Sequence, residues 1–148
     1  MNARDIMTAD PFCVTPTDTV RRAADIMREL DVGAVPVVDE ILNPVLRGII
    51  TDRDITVRCV AEGHSPTCMV RDHMTAAPLQ TVPPEADVAE VIQLMEKAQV
   101  RRILVVKPDG TLAGIIAQAD IALKLGPKYP ATIEELIERI SAASVPLA

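Results

Sequence analysis

Apolar positions recur at steps of three and four over 20 to 32, where Val20, Ala23, Ala24, Met27 and Leu30 share one face. They do so again over 88 to 100, through Val88, Val91, Ile92, Met95 and Ala98. This spacing predicts two amphipathic helices. A β-branched run follows each, "AVPVV" at 34 to 38 and "ILVV" at 103 to 106, then a turn and a second apolar run. That second run ends in "GIITDRDI" at 48 to 55 and in "GIIAQADI" at 114 to 121, where a strand passes into a helix. "KPDGTL" at 107 to 112 is a hairpin signal, because Asp-Gly supplies the positive φ values of a tight turn. Its counterpart "DEILNPVLR" at 39 to 47 is longer.

The pattern is written twice. "RDIMTADP" at 4 to 11 returns as "RDHMTAAP" at 71 to 78, an offset of 67 from 4 to 71, and "VTPTDTV" at 14 to 20 is echoed by "TVPPEADV" at 81 to 88. Internal repetition of this kind means that one supersecondary unit is used twice. Each unit has a single apolar sheet face that it cannot bury alone, so the two should pack together with clefts between them. The fold class expected is α/β of the mixed α+β kind, with two tandem β-α-β-β-α repeats, pseudo-twofold symmetry and a short C-terminal helix. The expected domains are 1–68, 69–126 and a tail at 127–148.

Composition narrows the function. The chain has 148 residues and needs no staples, since a domain of that size buries roughly 68–70% of its unfolded surface. Phe12 and Tyr129 are the aromatic residues, so the core is built from Val, Ile, Leu, Met and Ala, and stacking on bases is not its mode of binding. The net charge of −6 argues against nucleic acid, which is held by clustered Lys and Arg. No apolar run reaches the roughly 18 residues of a membrane span, and "MNARDIMTAD" offers no secretion signal, so the expectation is a cytoplasmic protein with no membrane contact. Cys13, Cys59 and Cys68 are expected to be reduced thiols rather than a disulfide framework.

Candidate chemistry lies at the repeated junction. A helix beginning at Thr51 would present backbone N–H groups and the positive end of a dipole to phosphate. Asp54, one turn on, offers two acceptor oxygens suited to the vicinal hydroxyls of a ribose. Thr51-x-x-Asp54 is equally a capping box, with Thr as cap and the acid reaching back to its N–H. The second copy has Ala117 in place of Thr while Asp120 remains. Arg101 and Arg102 could hold a phosphate there, or could be a solvated pair at a strand start. Met27 and Met95 read as core.

The doubled "IMT" or "HMT" lead, amphipathic helix, "VPVVD" or "LVVK" strand and Gly-h-h-x-x-x-Asp junction resemble the CBS domain, named for cystathionine β-synthase, arranged as a pair over 4 to about 125. With "AEGHSP" at 61 to 66, the chain is most similar to small stand-alone pairs that include the mycobacterial hypoxia-response type. The resemblance implies a non-enzymatic sensor that needs no cofactor, binds an adenosyl small molecule between repeats, forms a homodimer and regulates an unidentified protein. The candidate ligands are AMP, ADP, ATP, S-adenosylmethionine and NADH. It assigns ribose to Asp54, with Thr51 near ribose or phosphate, and the base to Thr15 and Pro16 and to Ala34, Val35 and Pro36. Asp120, Arg101 and Arg102 make up the second, departing site.

Three other readings stand beside this one. Cys59, His64, Cys68 and His73 form a Cys-x4-His-x3-Cys-x4-His series, but structural zinc sites normally carry a closer Cys-x2–4-Cys element, and core or solvent-facing roles are preferred, with no metal expected. No histidine stands near a Ser or Cys in a recognisable elbow, so no enzyme is expected. A ligand-independent interaction module is the alternative. "GPKYP" at 126 to 130 ends the repeats, and the tail puts Ile133, Leu136, Ile137 and Ile140 on one side and Glu134, Glu135, Glu138 and Arg139 on the other. With no effector domain expected on either side, a signal would leave through a surface that a partner reads.

Overall fold

A computed structural model describes residues 1–126 together with Glu135 and Glu138. The amphipathic face expected for the tail lies outside the described residues. The order is α1 (Ala3–Ile6), β1 (Thr8–Ala9), α2 (Val20–Leu30), β2 (Ala34–Glu40), β3 (Asn43–Thr51) and α3 (Asp52–Asp54), which continues as a π-helical turn at Ile55–Val60. A 3₁₀ turn at Val70–Asp72 leads to β4 (Thr75–Ala76), β5 (Thr81–Val82), α4 (Val88–Ala98), β6 (Arg102–Val106), β7 (Leu112–Ala117) and α5 (Gln118–Leu125). The fold is thus mixed α+β. Among the described residues no helix is long and apolar enough to cross a membrane.

The chain forms two compact units that do not follow chain order. One gathers Met1–Asp10, Gln80–Asp109 and the described residues from Ala113, and the other Pro11–Leu79 with Gly110–Leu112. In the first, the strand order is β1-β7-β6-β5, with β1 antiparallel to β7 through Thr8 opposite Ile115, and β5 parallel to β6. In the second, β2-β3-β4 form a sheet, with Gly48 opposite Ala76 and Ile49 opposite Thr75, while Val14 makes a parallel bridge to Val37. The leading strand of each repeat therefore pairs inside the unit built mainly from the other repeat.

Each unit has its own core. Ile6, Val91, Met95, Ile103, Ile116 and Ile121 belong to that of the first unit, and Val14, Val20, Ile26, Met27, Val37 and Ile50 to that of the second. Met27 and Met95 are core, as their spacing suggests. The apolar face of α2 departs from expectation at its end, because Leu30 is 45% exposed while Ile26 is buried. Ile26 takes the inward position that the spacing gave to Leu30.

Both long helices stop in the same way. Asp31 and Gln99 adopt left-handed conformations at φ 54° and 56°, and Val32 N and Val100 N donate back to Met27 O and Met95 O, both at 3.1 Å. These bonds satisfy carbonyls that a helix end leaves free. On the β2-β3 hairpin, the Arg47 guanidinium forks onto the Asp39 carboxylate, Nη2 reaching Oδ2 at 2.6 Å.

Candidate ligand site

The residues expected around the first junction all lie in the second unit, and β-sheet register brings them together. Ala34 stands opposite Thr51, Val35 opposite Ile50 and Pro36 opposite Ile49. Ala34, Val35 and Pro36 are buried, while Thr51 and Asp54 are half-buried. Val14 N donates to Pro36 O at 3.1 Å and Val38 N to Val14 O at 2.9 Å, which sets the following Thr15 and Pro16 beside β2. Thr15 N donates to Asp18 Oδ2 at 2.7 Å, and the Pro16 carbonyl accepts from Arg71 N at 2.9 Å. The chain at Thr15 and Pro16 is thereby held at both ends.

At the junction, Thr51 Oγ1 accepts from Asp54 N and Asp54 Oδ2 accepts from Thr51 N, each at 3.0 Å. This is the capping box. It also corrects the expectation that the helix start offers N–H groups to phosphate. Asp52 N donates to Gly33 O at 3.0 Å and Arg53 N to Asp52 Oδ1 at 2.8 Å, so with Asp54 N every donor of that turn already has an acceptor. The short polar side chains of Thr51 and Asp52 hydrogen-bond the nearby backbone and so compete with a ligand for it.

The box does not exhaust the Asp54 carboxylate. A carboxylate has about four lone-pair sites, and the cap uses one. Oδ1 faces Arg58 Nε at 3.8 Å, an i,i+4 pair in which Arg58 is half-exposed and Asp54 largely covered. Arg58 also donates to Met74 O at 3.2 Å. Sequence reasoning passed over this arginine, although the i,i+4 spacing of opposite charges was visible. Asp18 was missed for a different reason: its role as acceptor for Thr15 depends on a local turn.

The second junction, in the first unit, keeps half of this arrangement. Asp120 Oδ2 accepts from Ala117 N at 2.7 Å, but Ala117 has no side-chain acceptor to return the bond. Gln118 N donates to Arg101 O at 2.9 Å, matching the bond from Asp52 N to Gly33 O. Arg101 and Arg102 thus occupy the places that Gly33 and Ala34 hold in the first repeat. Two small uncharged residues are exchanged for two guanidinium groups.

The three cysteines are unpaired thiols. Cys59 is buried, and burial first, then the charge of Cys68, pushes its pKa up. Of the Cys-x4-His-x3-Cys-x4-His series, His73 is buried and His64 exposed. Among the described residues no group of three or more His, Cys, Asp or Glu side chains is set to hold a metal ion.

Comparison with known proteins agrees with the fold. The family model "CBS domain" matches residues 3–60 and 70–126. Hypoxic response protein 1 of Mycobacterium tuberculosis is 37% identical over 123 residues, which are 83% of this chain and 84% of that protein. The crystal structure of Hypoxic Response Protein I with two coordinated zinc ions has a TM-score of 0.75 at 36% identity, covering 84% of this chain and 99% of that one. The CBS domain pair of protein MJ0100, in complex with 5-methylthioadenosine and S-adenosyl-L-methionine, has a TM-score of 0.74 at 26% identity, covering 86% of this chain and 98% of that one.

Proposed function

The chain belongs to the CBS domain family, and from that premise we propose that it is a non-enzymatic regulatory module that binds an adenosine-containing ligand and alters a partner protein. The observation that carries this reading is the fixed carboxylate in each repeat. Asp54 and Asp120 each have one oxygen bonded to the N–H that ends the preceding strand, at 3.0 and 2.7 Å. The bond orients the carboxylate and leaves acceptor capacity for two vicinal hydroxyls, so capping and ribose binding are compatible roles. The presence of 5-methylthioadenosine and S-adenosyl-L-methionine on the related pair supports an adenosyl ligand.

In this reading Asp54 and Thr51 take the ribose, and Thr15, Pro16, Ala34, Val35 and Pro36 take the base. Asp120 takes a second ribose, and Arg101 with Arg102 favours ligands that carry phosphate, because a guanidinium pairs with phosphate oxygens in a fork. AMP, ADP and ATP are therefore the first candidates, ahead of S-adenosylmethionine and NADH. The module acts as a homodimer, and its ligand shifts a partner only by as much as it prefers one arrangement over another.

A ligand-independent interaction module is the second reading, favoured by the first-turn donors of the Thr51 junction being fully engaged. Thermal shift and calorimetry with the five ligands, on wild type, Asp54→Ala and Asp120→Ala, separate the two. A ligand at about 100 times its dissociation constant adds roughly 2.7 kcal/mol, or about 5–10 °C. Because Asp54 also caps, its variant is judged by affinity and not by melting point alone. Loss of affinity in one or both variants is the expected result. If wild type binds none of the five, the interaction module replaces the sensor.

A further inference from the structure

Residues 61 to 69 connect the π-helical turn Ile55–Val60 to the 3₁₀ turn Val70–Asp72, which His73 ends. His73 is 3% exposed, and its Nε2 is buried without a hydrogen-bond partner. Native proteins seldom leave a buried polar atom in that condition, because it loses its hydration and gains nothing in return. Its ring lies against that of His64, with centroids 5.2 Å apart and planes tilted by 47°. His64 itself is exposed.

The separation has a chemical meaning beyond ring contact. With zinc–nitrogen bonds of about 2.0–2.1 Å and a tetrahedral angle, two imidazoles on one ion place their ring centres about 5 Å apart. Cys59 Sγ is 3.7 Å from the carbonyl oxygens of both His64 and Ser65, and Cys68 N donates to Ser65 O at 3.0 Å.

We propose that His73 Nε2 and the His64 imidazole form a two-histidine seat for one divalent transition cation of the zinc class. Neutral imidazole suits such borderline ions better than it suits magnesium or calcium. The ion supplies the partner that His73 Nε2 lacks and ties the exposed His64 to the buried ring, fixing the connecting segment. No third ligand is already gathered at the pair among the described residues. Solvent therefore completes the coordination, and the affinity falls well short of that of a closed four-ligand structural site.

The test is calorimetric titration of the full chain with zinc chloride, wild type against His64→Ala. His64 is exposed, so its removal leaves the fold intact, which circular dichroism verifies. One zinc per chain is expected. A lost ligand must weaken binding at least as much as a lost outer-shell partner does, about tenfold or more. Cobalt(II) in place of zinc should give visible bands without a thiolate charge-transfer band, and zinc should move the imidazole ¹⁵N resonances of both histidines. No binding, or equal binding by wild type and His64→Ala, overturns the proposal and leaves a simple ring contact. A strong thiolate band overturns the two-histidine assignment.

Discussion

A methyl group placed on Gly48 would stand 2.5 Å from the carbonyl oxygen of Thr75, closer than any real side chain tolerates. Gly114 meets the same problem, with Met7 Sδ at 2.5 Å and Thr8 O at 2.8 Å. Both glycines of the repeated junction sit where the leading strand of the other repeat is laid across them, β4 on Gly48 and β1 on Gly114. That close approach explains why each copy keeps its glycine.

Gly48→Ala should therefore destabilise the chain by about 1–3 kcal/mol through overpacking against backbone. Gly114→Ala should cost less, because part of its obstruction is the flexible Met7 side chain. Urea denaturation of both variants gives the comparison, and a neutral Gly48→Ala would mean that β4 does not lie on β3.

The two capping arrangements make an opposed pair of substitutions. Thr51→Ala removes the acceptor for Asp54 N and should cost about 0.5–2 kcal/mol. Ala117→Thr completes the missing half of the second box and should raise stability by roughly 0.5–1 kcal/mol. Opposite shifts in denaturation midpoint are expected, and parallel shifts would contradict the half-box.

Asp31 and Gln99 close their helices in left-handed conformations that L-residues adopt only at a penalty. Asp31→Gly and Gln99→Gly should each stabilise the chain, by about 0.5–1 kcal/mol after the extra freedom of glycine in the unfolded chain is counted. Thermal melts of the single and double variants measure this, and the two gains should add because the sites lie in separate compact units.

Burial pushes the Cys13 thiol from its ordinary value of 9.0 up to about 11. A thiol whose folded pKa is raised contributes stability that is complete below pH 9 and is lost as the pH climbs through 11, because the unfolded chain ionises first. Cys59 is shifted in the same direction. Wild type should lose stability between pH 9 and 11 more steeply than Cys13→Ser does, as denaturation at four pH values across that window would show. At pH 8, iodoacetamide should alkylate Cys13 far more slowly in the folded chain than in urea.

The sequence by itself determined the repeat, the type of each main element and the residues of the first junction. Helical spacing at Val20 and Met27, and at Val88 and Met95, reports a local period that backbone geometry imposes on any amphipathic helix. The Thr51–Asp54 box was equally legible, since both its bonds span three residues. Tertiary structure alone decided which strands pair beyond the β2-β3 and β6-β7 hairpins. The exchange of β1 and β4 between units joins Thr8 to Ile115 and Thr75 to Ile49, contacts between segments that no local pattern relates. The use of the first-turn donors followed the same rule, because Asp52 N finds Gly33 O across the sheet. So did the orphaned Nε2 of His73, whose burial depends on packing, whereas spacing records only which side of its own element a residue faces.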